Sequence, residues 1–354
     1  MSHEIFANDT AIYNAKPAWH GLGTVLPDGE LTVEKVREVA PGFVFPIEQR
    51  PILAGTWADG WDADKSEPTQ VATVAQAIEV PGMVAQVAGD DGQVLGITTT
   101  SFCAFSNEEL LSLVAEVSAF GEGQTLESVL TLKGRKVAVI LAHVGGFSLP
   151  GGDDVREYLL WTSAHDGSSA LRCLPVSIRV VCNNTLTMAL DTAGRMGFSV
   201  RHTSGMADAV KAGIRAMQQG IEASQSFEPA AQALAGRDLT GQEVRDFFLD
   251  VYQGTTGPIP ANPQNRGEVN RRNRARATVS RWLSLLDDPK NKLDGRTTAW
   301  SALNAVTQHS DHERTVKRTG GASTKQEARD WSRLMGTGAD VKAKALDRAL
   351  ALVS

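Results

Sequence analysis

Near Gly205 the apolar residues pass from a mainly strand-like to a helical period that runs almost to the end, and that change limits the fold more than any other feature. From Val71 to about His202, short alternating runs are broken by Gly, Asp and Asn, the pattern of half-buried strands joined by turns. Beyond Gly205 the apolar positions recur every third or fourth residue, as they do along one face of a helix. Strands first and helices afterwards imply α+β: a mainly antiparallel sheet with packed helices, followed by a helical C-terminal region. The expected division is a sheet-rich unit over 1–205 with an irregular N-terminal arm, and a helical unit over 206–354. The Pro-rich segment 254–265 (GTTGPIPANPQN) is the expected linker.

Local signals refine this reading. Thr32 reads as an N-cap for a short helix with Val33, Val36 and Val39 turned inward. Ser106 and Glu109 have capping-box spacing ahead of Leu110, Leu113, Val114 and Val117. Gly89-Asp90-Asp91-Gly92 marks a hairpin turn into a strand over 94–99, and residues 55–70 read as a loop. Gly134-Arg135 joins strands over 128–133 and 136–143. A longer hairpin, 158–163 with 170–182, turns at His165-Asp166-Gly167. Asn183-Asn184 is expected to cap a short helix through Leu190, and a last strand covers 198–202. Helices are expected over 206–224, 228–236, 241–252, 268–286, 298–309, 325–335 and 339–353.

With 42% hydrophobic and 21% charged residues among its 354, the chain can bury a sizeable core. No apolar run reaches the roughly 18 residues a membrane-spanning helix needs. The start, Met1-Ser2-His3-Glu4, has neither the basic nor the apolar region of a secretion signal. Cys103, Cys173 and Cys182 are an odd set without CxxC spacing, which fits a reducing compartment and expects neither a disulfide framework nor a thiolate metal site. The expected location is therefore the cytoplasm of a bacterial host. Residues 1–100 hold 5 Lys/Arg against 14 Asp/Glu, a balance of −9 within the total of −6, so the remainder is mildly basic.

Four clusters carry the residue types of chemistry. The turn Thr162–Arg172 gathers His165, Asp166, Ser168, Ser169 and Arg172, donors suited to an anion, although Asp-Gly with serines is also an ordinary hairpin turn. Trp19, in Trp19-His20-Gly21-Leu22-Gly23, is a candidate for stacking on a nucleobase, against the plainer role of plugging an arm onto the core. His309 and His312 share a helix face beside Asp311, but a helix C-terminus also favours histidine, and no metal site is expected. The segment 266–281 holds six arginines and one glutamate. Val279, Trp282, Leu283 and Leu286 make its apolar face, and the arginines do not line up opposite. Its first turns should project beyond the core as a basic knob, with Arg271, Arg272, Arg274 and Arg276 suited to phosphate.

Several segments together resemble the phage/plasmid-like family of uncharacterised proteins, a domain-of-unknown-function family of bacteriophages, plasmids and prophages. Pro17-Ala18-Trp19-His20-Gly21-Leu22-Gly23 is similar to its opening motif, and Phe102–Glu109 to its aromatic segment followed by Asn-x-Glu. The run from Tyr158-Leu159-Leu160 through His165–Arg172 to Arg179-Val180-Val181-Cys182-Asn183-Asn184 matches most closely. Arg201-His202-Thr203 and Thr298–Thr307 extend the likeness over nearly the whole chain. Ala104 stands where the family usually has proline, and Leu174–Ser177 departs from its usual Thr-Pro. The resemblance implies a mobile-element setting and brings no catalytic residue with it.

The expected function is non-enzymatic nucleic-acid binding, with single-stranded DNA bound or annealed in replication or recombination by a homo-oligomer. Arg172, Arg179, Arg271, Arg272, Arg274 and Arg276 would hold phosphates and the 165–169 loop would line the groove. The alternatives are a module that binds a host or phage protein through the acidic N-terminal region, and a metal-dependent hydrolase using His165, Asp166 and His202. No cofactor is expected.

Overall fold

The computed structural model describes residues 9–14, 24–26, 31–57, 74–118, 125–132, 134–179, 184–187, 197–213, 227–315, 332 and 336–354. Eleven strands lie among the described residues: β1 (Ala11–Asn14), β2 (Thr24–Leu26), β3 (Ile47–Trp57), β4 (Val74–Ala88), β5 (Val94–Thr99), β6 (Thr125–Leu132), β7 (Val137–Leu149), β8 (Asp153–Ala164), β9 (Leu171–Arg179), β10 (Asn184–Thr187) and β11 (Phe198–Val200). Eight of them form the main sheet in the order β10-β9-β8-β7-β6-β1-β2, with β11 also paired to β9. All its described pairs are antiparallel except β1 with β2. The smaller sheet is β3-β4-β5.

Alternation explains why β8 reads as an unbroken apolar run. Leu159 and Trp161 face one side of the sheet, Tyr158, Leu160 and Ala164 face the other, and all are buried. The first side is covered by α1 (Val33–Val39) and α2 (Asn107–Ser118), whose Val36, Leu110, Leu111 and Val114 are fully buried with Ile140 and Trp161. Each such side chain contributes about 1.5–3 kcal/mol by leaving water. The caps form as their spacing predicts. The Thr32 hydroxyl accepts from Lys35 N, and Ser106 and Glu109 bond reciprocally to each other's backbone N–H. On the other side of the sheet the buried apolar cluster consists, among the described residues, of strand residues alone.

The turns are pinned to one another. Gly134 and Arg135 both have positive φ, as a two-residue hairpin turn of this hand requires. The buried Arg135 guanidinium lies 3.9 Å over the Phe45 ring and bonds Asp90 and Asp91 in the turn before β5. Gly96 of β5 meets the other turn: a Cβ there would stand 2.5 Å from Asp166 Cα. Gly96→Ala therefore has to push backbone against backbone. We expect a loss of about 1–3 kcal/mol in urea-unfolding stability; an unchanged midpoint would show that this contact can relax freely.

The helical part comprises α3 (Glu228–Gly236), α4 (Gly241–Thr256), α5 (Arg266–Leu286), α6 (Ala299–Gln308) and α7 (Thr337–Leu350). These share one apolar core around Phe248, Trp282, Trp300 and Leu303. The class is thus the expected α+β, but four local expectations are corrected. Residues 184–187 form a strand paired to β9 instead of a helix start, because Thr185 and Leu186 complete the sheet opposite Ile178 and Ser177. Part of the N-terminal stretch is not irregular: β1 joins the main sheet through β6, and β3 begins at Ile47. The helix at 206–213 packs Met206 and Val210 into the sheet core, so Gly205 is a change of period and not a boundary in packing. The 254–265 segment joins α4 to α5 inside one core, with Ile259 packed against it. The expected helix over 325–335 lies, apart from residue 332, outside the described residues.

Among the described residues, no helix is long and apolar enough to cross a membrane.

Candidate functional site

The residues singled out from sequence separate into three places, and the reason is strand geometry. Arg172 and Arg179 lie seven residues apart on β9, an odd spacing that turns them to opposite faces of the sheet. At about 3.3 Å per residue they are also about 23 Å apart along the strand. They do not share a groove. Arg179 is 4% exposed, with its Nε 2.6–2.7 Å from both Asp153 carboxylate oxygens and its Nη1 donating to Asn291 Oδ1 at 3.2 Å. Trp300 Nε1 donates to the same Asp153 at 2.8 Å. Arg179 is therefore corrected from a phosphate ligand to one half of a buried latch between the main sheet and the helices. A void of about 10 Å³, room for about one water molecule, lies beside it against Val155, Ser177 and Asn304.

The His165–Ser169 turn does not present its imidazole. His165 is 1% exposed, with Nε2 2.8 Å from Asn107 Oδ1. Asn107 Nδ2 in turn donates to Phe43 O, so Oδ1 is left as acceptor and His165 carries its proton on Nε2. Nδ1 is buried without a partner among the described residues. Burial, and then the neighbouring His202, push the His165 imidazole down to about 3. His202, also buried, bonds the Cys103 carbonyl through Nδ1, stacks on Phe102 at 4.7 Å and lies 3.5 Å from the Ser163 hydroxyl. Asp166 accepts Ser168 N, the self-capping of a hairpin turn, and Ser169 Oγ bonds Ala170 O. Ser168 is exposed and Asp166 half-buried, whereas Ser169 is 8% exposed. His165, Asp166 and His202 thus hold a turn against the sheets; the two imidazoles face no open surface, which removes the geometry that a hydrolase built on them needs.

Trp19 and the arm 15–23 lie outside the described residues, as does Cys182. Cys173 is buried, which pushes its thiol well up, and Cys103 is half-buried; the two form no disulfide with a described residue. His309 and His312 lie in a π-helical turn, His309–Glu313. The His309 ring meets Trp282 edge-on, and buried Asp311 pairs with buried Lys342 at 2.8 Å, so the carboxylate beside the histidines is already engaged.

The arginines of α5 stay together. No residue of this helix before Ala275 is buried, so its first turns overhang the core. Arg266, Arg271, Arg274 and Arg276 are exposed, and none makes an ion pair with a described residue. Arg272 is half-buried and reaches Ala261 O at 3.4 Å. Glu268, the one carboxylate in the stretch, is occupied at the helix start by Gln264 N and Asn265. Arg281, a turn and more further on, is bound to Glu313.

A second group went unnoticed in the sequence: Glu127 on β6, His143 on β7, and Arg156 and Tyr158 on β8. Burial pushes the Glu127 carboxyl up against the pull of Arg156, pushes the Tyr158 hydroxyl up to about 12 and pushes the His143 imidazole down. The available signal was Glu127 itself, a lone carboxylate in the strand TLESVLTL.

An eight-stranded, mainly antiparallel sheet with helices over one face and a helical C-terminal core defines an α+β protein. The chain belongs to the family described as Domain of unknown function (DUF932), which matches residues 94–334. No curated protein and no solved structure matches it.

Proposed function

We propose that this protein is a cytoplasmic nucleic-acid-binding protein of a mobile genetic element, acting without catalysis on single-stranded DNA. The observation that carries this reading is the overhanging start of α5, where five arginines within about three turns have no carboxylate partner among the described residues. Guanidinium groups are weakly hydrated forks that fit phosphate, and releasing counterions from the strand drives the association. Arg271, Arg274 and Arg276 are the contacts, with Arg272 and Arg266 flanking; Arg172 and Arg179 take no part. A homo-oligomer would repeat the knob along a strand and support annealing.

Fluorescence anisotropy of a labelled oligonucleotide at about 50 mM salt, with micromolar protein, tests this. Binding should weaken steeply as salt rises. The Arg271→Gln/Arg274→Gln/Arg276→Gln variant should lower the slope of log K against log salt by about 2, at about 0.7 per single-strand phosphate contact. No anisotropy change, or an unaltered slope in the triple variant, would overturn the reading.

A second reading has its own observation. Leu53, Ile78, Val94 and Ile97, each more than half exposed, all lie on the small β3-β4-β5 sheet. Leu53 and Ile78 fall on alternate faces of the sheet by their register, and large apolar side chains exposed on a single sheet are a feature of interaction surfaces. A protein partner from the phage or the host would dock there, and Ile97→Glu should abolish a stoichiometric complex that survives nuclease treatment.

A further inference from the structure

Two bulges at one level of the main sheet build a polar site into the face opposite α1 and α2. Leu126 pairs with Ala142 and Ser128 with Leu141, which leaves Glu127 as the extra residue of β6. The next strand bulges just after His143, between its pairing with Tyr158 and that of Gly145 with Glu157. Bulges re-aim side chains and are concentrated beside functional sites. Here they bring Glu127 Oε1 to 3.7 Å from Arg156 Nη1, and set the His143 ring edge-on to Tyr158 at 5.4 Å. Arg156 also bonds the Tyr158 hydroxyl.

The site is short of partners. Glu127 is 8% exposed and Arg156, beyond hydrogen-bond distance, is its one described partner. The Ser128 hydroxyl beside it is fully buried and has no hydrogen-bond partner among the described residues. A carboxylate held this far from water is unfavourable unless donors are supplied. On the same face it is backed by Leu130, Val139, Leu141 and Leu160, all buried. Arg156 has 44% of its side chain exposed and His143 is half-buried, so the cluster is reached from solvent on their side.

We propose that Glu127, Ser128 and Arg156 form a recognition site for a guanine-type base, with His143 beside it as an aromatic wall. A carboxylate accepts two parallel N–H bonds, and a guanidinium only donates. The guanine edge offers N1–H and the 2-amino group side by side, next to the O6 carbonyl. Glu127 takes the two donors and Arg156 the carbonyl. Adenine, cytosine and uracil each lack the adjacent pair of donors, and a site built to hydrogen-bond a group rejects analogues that lack it.

The test is calorimetric titration of the full chain with free guanosine, adenosine, cytidine and uridine. These carry no phosphate, so the outcome is independent of the α5 arginines, and failure here leaves the oligonucleotide result standing. Saturable guanosine binding, with the other three at least tenfold weaker, is expected. Glu127→Gln replaces an acceptor by a donor and should weaken guanosine at least tenfold. Arg156→Gln should weaken it severalfold; because it also removes the cation beside Glu127, its fold is checked by circular dichroism at the titration temperature. No guanosine binding at about 0.5 mM, equal binding of all four, or unchanged affinity in both variants overturns the proposal.

Discussion

Asp153→Ala should destabilise the protein by about 3–5 kcal/mol, the largest loss we expect from removing a single polar side chain. Asp153 is 3% exposed and serves two partners at once, the Arg179 guanidinium and the Trp300 indole N–H. Its removal takes the carboxylate from a buried cation and the acceptor from a buried indole donor. Because Trp300 lies on α6 and Asp153 on β8, the damage falls on the attachment of the helices to the sheet. Arg179→Met, paired with Asp153→Leu, removes both charges together and should recover much of the loss, since apolar replacement of a buried pair is often neutral. Urea unfolding followed by tryptophan fluorescence reads both. A single-variant loss under about 1 kcal/mol would mean that the latch is solvated and adds little.

Stability should fall as pH drops from about 6.5 toward 3, and His165 is the main cause. Its imidazole is held down to about 3 by burial first and by His202 second, whereas an unfolded histidine titrates near 6.5. Between these values the unfolded chain binds a proton that the folded chain refuses. The stabilisation is complete above the unfolded value and is lost as pH falls below it, at up to about 1.4 kcal/mol per pH unit. His202, also lowered by burial, adds in the same direction. Glu127 and Glu157 are raised by burial, and so oppose this trend over the carboxylate range. Unfolding free energies at pH 7.5, 6, 5 and 4 should show the decline, and His165→Gln should flatten it. A flat profile in the native chain would show that His165 gains a proton without leaving its site.

Much of the local structure is written in neighbouring residues. The Thr32 cap, the Ser106/Glu109 box, the Gly89–Gly92 turn and the Gly134-Arg135 hairpin all form as their spacing predicts, since each depends on contacts within about four positions. The start of α5 is similar: an arginine run without an apolar face cannot lie on a core, and it does not. The 184–187 strand was misread because its pairing partner, not its own residues, decides its state.

The sites divide along the same line. A sequence shows that His165 and Arg179 are polar, but only the tertiary structure shows that Asn107, 58 positions away, and Asp153, 26 positions away, meet them and remove them from the surface. It also gathers Glu127, His143, Arg156 and Tyr158 from three strands, through bulges that no single strand's pattern reveals. The change of period near Gly205 determined by itself that this is an α+β chain, because periodicity is a property of the nearest turns of backbone. Which charged groups stay free was decided by packing: burial and partners come from residues far apart in the chain, and they left the α5 arginines exposed while closing Arg179 inside.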